Sequence, residues 1–235
     1  MKSPIFSGTG HRGKWTLTEI IVRLGRRQVG AIAQQIAIIN SLVRPEESAF
    51  DLRRFWQHSV GCAMIADRLY TRDLISLRAK IEFNEYWIGA LLHDIGKLIL
   101  GFFSWSWFEG VLKQRARDAC SFRQAEAQLG ETFNHEHIGR LLLLNMDMGP
   151  ELAEAVGAHH SANKAPGPLV CLLYMADNLC KEMGLGYVPE EPSTYSAAVL
   201  KALRLEVADV QKLQSSMGDS MVEKIEELTD QCIRP

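Results

Sequence analysis

A histidine–aspartate pair lies inside the apolar run Leu91-Leu92-His93-Asp94-Ile95-Gly96-Lys97, and any fold this chain adopts has to give that pair partners. A polar or charged side chain taken out of water among leucines is costly unless it is hydrogen-bonded, paired or bound to a cation. The same conflict recurs along the chain. Six of its seven histidines, His58, His93, His135, His137, His159 and His160, fall within or at the ends of apolar helical stripes, and so does Asp177.

The stripes have helical period throughout. Thr16 and Glu19 have the form of a capping box ahead of Leu17, Ile20, Ile21 and Leu24, with Gly25 as a stop. A second stripe through Val29, Ile32, Ile36 and Ile39 is broken at Pro45. The spacing predicts a helix over about 49–70, with Leu52, Phe55, Trp56, Val60 and Met64 inward and His58 within it. Residues 71–83 are more polar and are read as a short helix. Asn84 is the expected N-cap of a helix through Trp87, Ile88, Leu91, Leu92 and Ile95, with His93 and Asp94 in its last turn before Gly96. The aromatic segment Phe102, Phe103, Trp105, Trp107, Phe108 reads as a loop and helix start packed on the core. Further helices are expected over 121–129, stopped by Gly130, and after Asn134, with Ile138, Leu141, Leu142 and Met146 on one face. Another is expected from Pro150 to His159-His160. Residues 161–168 read as a loop, 169–183 as an apolar helix carrying Asp177, and 193–231 as one or two peripheral helices. No segment alternates with the period of a half-buried strand. The expected fold is a single all-α domain.

Composition narrows the function. The 235 residues suffice for one sizeable core, and the formal charge of −2 comes with no dense basic block. Nucleic acid is therefore not an expected partner, because phosphate binding needs clustered Lys and Arg. Arg23, Arg26 and Arg27 read as a solvated helix face. No apolar run approaches the ~20 residues of a membrane span, and residues 1–14 have no signal-peptide core, so neither membrane nor export is expected. The five cysteines, Cys62, Cys120, Cys171, Cys180 and Cys232, form no paired framework. Reduced thiols in a cytoplasmic protein are the expectation, with Cys62 and Cys171 as core filler.

Taken singly, each histidine reads as a hydrogen-bonded structural residue. Jointly they read differently. A helical bundle can gather inward-facing ligands from several helices at one point, and here every candidate lies on a separate helix or at a helix end. Neighbours i and i+1 diverge by about 100° on a helix, so His93 and Asp94 can reach different sides of a metal pair with the carboxylate bridging. Imidazole and carboxylate donors suit iron, manganese, nickel or zinc better than calcium. Two such ions activate water and clamp a phosphoryl group for in-line attack.

Five motifs share one family's pattern. They are Phe55-Trp56-Gln57-His58-Ser59, Gly89-Ala90-Leu91-Leu92-His93-Asp94-Ile95-Gly96-Lys97, Asn134-His135-Glu136-His137-Ile138-Gly139, Ala158-His159-His160 and Tyr174-Met175-Ala176-Asp177. With them the chain resembles the HD superfamily of metal-dependent phosphohydrolases, and most closely its HDOD family, signalling relatives of the HD-GYP phosphodiesterases. Ile20-Ile21-Val22-Arg23-Leu24-Gly25 is similar to a further part of the HDOD domain. The resemblance spans roughly residues 16–190. It implies metal ligands at His58, His93, Asp94, His135, His159, His160 and Asp177. It implies two metal ions, iron or manganese, with nickel, zinc or magnesium as alternatives. His135 with Gly139 four residues on matches the family's spacing and leaves His137 aside. Asp94 and Lys97 are the residues the resemblance links to catalysis. Lys97 either meets a substrate phosphate or is a surface lysine at a helix end.

Two features depart from the relatives. The loop Ser161-Ala162-Asn163-Lys164-Ala165-Pro166-Gly167-Pro168 lacks the Gly-Tyr-Pro signature of enzymes that cleave cyclic-di-GMP, which argues against that substrate. The position four residues before His58, where some relatives carry a carboxylate for a third metal, is Arg54. The family's first helices are expected to be missing, as in a shortened or truncated form. The expected organisation is an irregular lead-in over 1–15, the HDOD-like helical domain over 16–190, and peripheral C-terminal helices over 191–235 packed on the same domain. Two functions stay open: a phosphohydrolase or phosphodiesterase acting on a phosphate-containing small molecule, or a bacterial regulatory module that binds a protein partner and keeps the metal for structure.

Overall fold

A computed structural model describes residues 17–25, 50–130, 133–161 and 166–233, and every regular element among them is helical. The expected lead-in over 1–15, the stripe over 29–39, the break at Pro45 and positions 162–165 of the loop after His160 lie outside the described residues. The helices are α1 (Leu17–Leu24), α2 (Leu52–Thr71), α3 (Phe83–Leu92), α4 (Ile95–Phe103), α5 (Trp105–Asp118) and α6 (Phe122–Leu129). They continue with α7 (His135–Asn145), α8 (Pro150–Gly157), α9 (Pro168–Glu182), α10 (Ala197–Leu203), α11 (Val207–Met217) and α12 (Asp219–Ile233).

Helix α2 is the axle of the bundle. It begins at Asp51, whose side chain accepts the Arg54 backbone N–H. From Phe55 to Asp67 all but one of its residues are buried, on every face rather than on one stripe. Helices α3, α9 and α12 pack around it. One core cluster joins the C-terminal half of α2 to α3, α9 and the C-terminal helices, through Ile65, Leu69, Trp87, Met175, Leu203 and Ile225. A second joins the start of α2 to α3–α8, through Phe55, Leu92, Leu98, Phe108, Phe122 and Val156. His58 falls on α2 between the residues that feed the two clusters.

Several local expectations change. Residues 72–82 form no helix. Ile75 and Ile81 are buried and pin both ends of an irregular segment whose polar middle stays in water. The N-cap of α3 is Glu82, not Asn84, because the Glu85 carboxylate reaches back to the Glu82 backbone N–H at 3.0 Å and closes the helix start there. His93 and Asp94 do not lie in the last turn of α3. They form the break between α3 and α4, and Gly96 sits inside α4 instead of stopping a helix. The aromatic segment is the end of α4 and the start of α5, and Phe103 points to solvent. On α7 the buried line is His135, Gly139 and Leu143, while Leu141 is exposed. Helix α8 ends at Gly157, so His159 and His160 stand just beyond it. The C-terminal stretch folds as three helices, and Val199, Leu203, Ile225 and Leu228 on their inner faces belong to the main core.

The stretch Phe83–Phe103 is long and apolar enough to cross a membrane by length and composition, yet it is mostly buried in the protein and broken at His93-Asp94. Cys62, Cys120, Cys171 and Cys180 are free thiols.

Candidate metal centre

The break between α3 and α4 shapes the site. Leu92 and Ile95 anchor the chain in the core on either side, and the Asp94 carbonyl accepts the Lys97 N–H at 2.8 Å to start α4. The Asp94 side chain is not used as a helix cap and turns inward. Gly96 then lets α4 lie directly against the start of α7. A Cβ at that position would stand 2.0 Å from the His135 carbonyl oxygen. At the other end of the contact Gly139 faces Val156 of α8, where a Cβ would meet its side chain at 3.1 Å. Helix α7 itself starts from Asn134, whose side chain accepts the His137 N–H at 2.8 Å.

These contacts bring all seven sequence-predicted residues together. His58 Nε2 lies 3.2 Å from both His93 Nε2 and Asp177 Oδ1. Asp94 faces both sides: Oδ2 is 3.4 Å from His58 Nε2 and 3.5 Å from His93 Nε2, and Oδ1 is 3.3 Å from His135 Nε2 and 3.5 Å from His159 Nε2. His160 Nδ1 lies 3.6 Å from Asp177 Oδ2. The potential donors form two groups, one of His58, Cys62, His93 and Asp177 and one of Asp94, His135, His159 and His160. His137 is exposed and outside both.

The backs of the rings fix what the fronts can be. His58 Nδ1 faces the Leu185 carbonyl at 3.0 Å, His93 Nδ1 the Ala90 carbonyl at 2.8 Å, and His159 Nδ1 the Val156 carbonyl at 2.6 Å. A carbonyl only accepts, so each Nδ1 carries a proton, and each neutral ring presents its Nε2 lone pair inward. In the neutral rings those lone pairs converge on one another and on carboxylate oxygens. Asp94 Oδ1, Asp177 Oδ1 and the Nε2 atoms of His135, His159 and His160 are buried without a hydrogen-bond partner. Acceptors held 3.2–3.5 Å apart repel unless a cation lies among them. Donors around an ion with bonds of about 2.0–2.2 Å stand roughly 3.0–3.5 Å apart in octahedral or tetrahedral geometry. The donor set therefore fits transition-metal ions, with Asp94 able to offer one oxygen to each side.

Protons show the same demand. Burial opposes a charge on His58, but Cys62, Asp177 and Asp94 beside it outweigh that and hold its pKa well above the ordinary histidine value. Burial pushes His93, which faces it, down to about 3. One ring draws a proton into the place a cation would take. Burial likewise opposes ionisation of Asp94 and Asp177, and the ammoniums of Lys97 and Lys181 prevail, keeping both carboxyls well below the usual carboxylate range.

The surroundings hold residues that sequence reading did not single out. Glu126 of α6 is wholly buried and accepts twice from His135, at 2.9 Å from its backbone N–H and 2.5 Å from Nδ1. Burial pushes the Glu126 carboxyl up to about 8, against the pull of the His135 N–H. Glu136 accepts the His160 N–H at 2.9 Å and pairs with Arg123 at 2.5 Å. Lys181 meets Asp177 Oδ2 at 2.8 Å, and Glu191 at 3.6 Å. A signal was present in each case. Glu126 interrupts the apolar face Phe122, Ala125, Leu129, and Lys181 stands four residues after Asp177. Lys97 is not the surface lysine of a helix end. It is fully buried, 2.6 Å from Asp94 Oδ2 and 5.0 Å from the centre of the Phe122 ring. Cys62 Sγ lies 3.7 and 3.8 Å from the two ring nitrogens of His58 and within the first donor group, but burial holds the thiol pKa well above its ordinary value, which disfavours the thiolate a metal ligand needs. Arg54 donates to the Gly186 carbonyl at 2.9 Å and brings no carboxylate to the site.

Comparison with known proteins follows the same lines. The family model of the HDOD domain matches residues 3–162. Three solved structures share the fold. One is an HDOD domain protein of unknown function from Geobacter sulfurreducens, with 20% identity and a TM-score of 0.64 over 94% of this chain and 76% of that one. Another is a candidate signal transduction protein from Marinobacter aquaeolei VT8, with 20% identity and a TM-score of 0.69 over 93% of this chain. This chain spans 48% of that protein's length. The third is a candidate phosphohydrolase from Shewanella amazonensis SB2B, with 19% identity and a TM-score of 0.60 over 92% of this chain and 77% of that one. No curated protein matches the chain.

Proposed function

The chain belongs to the HDOD domain family, and from that membership we propose that it is a signalling-type domain whose histidine–aspartate cage holds two transition-metal ions and hydrolyses a phosphate ester. One observation carries the reading: Asp94 Oδ1, Asp177 Oδ1 and the Nε2 atoms of His135, His159 and His160 are buried together without a hydrogen-bond partner. Iron or manganese is the assignment for this donor set, ahead of nickel, zinc or magnesium. When bound, such ions supply Lewis-acid activation of water and neutralise charge on a phosphoryl group. The chain's own part is to hold the donors. His58, His93 and Asp177 would hold one ion and His135, His159 and His160 the other, with Asp94 placed to reach both. His160, the most exposed of the set at 12% of its side chain, marks the side from which a phosphate-containing small molecule arrives. Free thiols accord with a cytoplasmic setting, and neither nucleic acid nor a membrane surface has a role in this proposal.

A second reading is favoured by Lys97. A lysine turned into the core against Asp94 is not presented to a substrate, which suits a regulatory module that binds a protein partner and keeps its metal for structure. Elemental analysis and turnover separate the readings. Protein purified without chelator and reconstituted with iron or manganese is expected to hold about two ions per chain, the number of donor groups. It is then expected to hydrolyse at least one of a panel of phosphomonoesters, cyclic nucleotides and dinucleotides, and Asp94→Ala is expected to abolish both. Metal without turnover leaves the regulatory reading. No metal at all, or activity that survives Asp94→Ala, rules out the cage as the centre.

A further inference from the structure

The histidines of the cage are held from behind in two ways. His58, His93 and His159 each give their Nδ1 proton to a main-chain carbonyl. His135 faces a carboxylate, and that carboxylate, Glu126, grips it twice, through the ring and through the backbone N–H. Both residues are fully buried. A carboxylate behind an imidazole fixes the ring's orientation and makes it a stronger donor to a cation. Neither histidine of the other half, His58 or His93, has a charged partner behind it; a neutral main-chain carbonyl accepts from each ring, at 3.0 and 2.8 Å.

We infer that the two halves of the cage are unequal. Glu126 acts as a positioning residue that makes the half built from Asp94, His135, His159 and His160 the tighter site, and the half built on His58, His93 and Asp177 fills second. The inference rests on the metal-holding reading above and goes beyond it by ordering the two events.

Stepwise titration of the chelator-stripped full chain with cobalt(II), followed by its visible absorption and by calorimetry, tests it. The unmodified protein is expected to show two steps of different affinity. Glu126→Gln keeps the shape and removes the ionisable carboxyl that a cation on His135 would draw into its charged form. It is expected to weaken the tighter step by about 10–100-fold, to shift the absorption band of the cobalt bound in that step, and to leave the weaker step and its band in place. A merely structural role for Glu126 would lower the melting temperature without shifting one band selectively, and that result overturns the inference. So do equal steps in the unmodified protein, which decide the matter even if Glu126→Gln fails to fold. These outcomes leave the cage reading standing. Failure of the unmodified protein to take up cobalt overturns both.

Discussion

At the scale of single residues, the pairing of Lys97 with Asp94 is the most exacting arrangement in the molecule. Both are fully buried, and their charged atoms are 2.6 Å apart. Removing one partner from a buried pair leaves an uncompensated charge and costs about 3–5 kcal/mol. Lys97→Met is therefore expected to lower the unfolding free energy of the metal-free protein by about that much, read from urea denaturation. The pH dependence has a definite sign. The Asp94 carboxyl is depressed in the folded state, so the pair contributes stability above the ordinary carboxylate pKa and loses it as pH falls through the depressed value. The difference between wild type and Lys97→Met should accordingly be full near neutrality and shrink in acid. If Lys97 instead served a substrate phosphate, the variant would raise KM and leave the metal-free stability little changed. Glu126 carries the opposite sign. Its folded pKa is pushed up from 4.5 to about 8, so its contribution is complete below the lower value and lost as pH rises through the upper one. In metal-free protein the stability of wild type relative to Glu126→Gln should decline across that interval. A flat difference would show that the carboxyl does not titrate there.

At the scale of elements, the site depends on how closely α4 meets α7. Gly96 permits that approach, and the nearest atom to its missing Cβ is a carbonyl oxygen of the main chain, which cannot swing aside as a side chain can. Overpacking of this kind costs about 1–3 kcal/mol when neighbours can shift, and the upper end or more is expected for Gly96→Ala. The variant should also lose metal, because the shift that relieves the clash moves His135 away from Asp94. Melting temperature and elemental analysis together check this, and a variant that melts lower yet keeps both metals would show that the contact is only structural. Helix α6 has a comparable duty. It presents Arg123 and Glu126 one turn apart, and through Glu136 and His135 these hold the start of α7 and the backbone of His160.

At the scale of the whole molecule, the cage closes only because the bundle wraps α2 from all sides. The last helix takes part, since Ile225 of α12 is fully buried and packs beside Gly61, one turn from His58. Ile225→Ala is expected to cost about 2–5 kcal/mol and to weaken metal binding through α2, although the residue lies far along the chain from every candidate ligand. Bound metal should stabilise the whole domain in return. A cation at a hundredfold excess over its Kd adds about 2.7 kcal/mol to folding, so stripping with chelator should lower the melting temperature and re-addition should restore it. A melting curve indifferent to chelator would mean that the buried acceptors are satisfied in some other way.

Much of this was legible in the order of residues. The helical period of the apolar positions determined an all-α chain, and the polar residues set into those stripes, from His58 to Asp177, marked the candidate centre. Periodicity could not locate the break at His93-Asp94, because Leu91, Leu92 and Ile95 continue one apolar stripe across it. Nor could it place Glu82 as a cap, leave 72–82 unwound, or turn Lys97 inward, since each of those depends on a neighbour from elsewhere in the fold. The sequence alone determined which side chains need partners, because the cost of burying a polar group belongs to the group itself. Only the tertiary structure decided which partner each one has, because a distance between residues on different helices is set by packing, and packing is a property of all the helices at once.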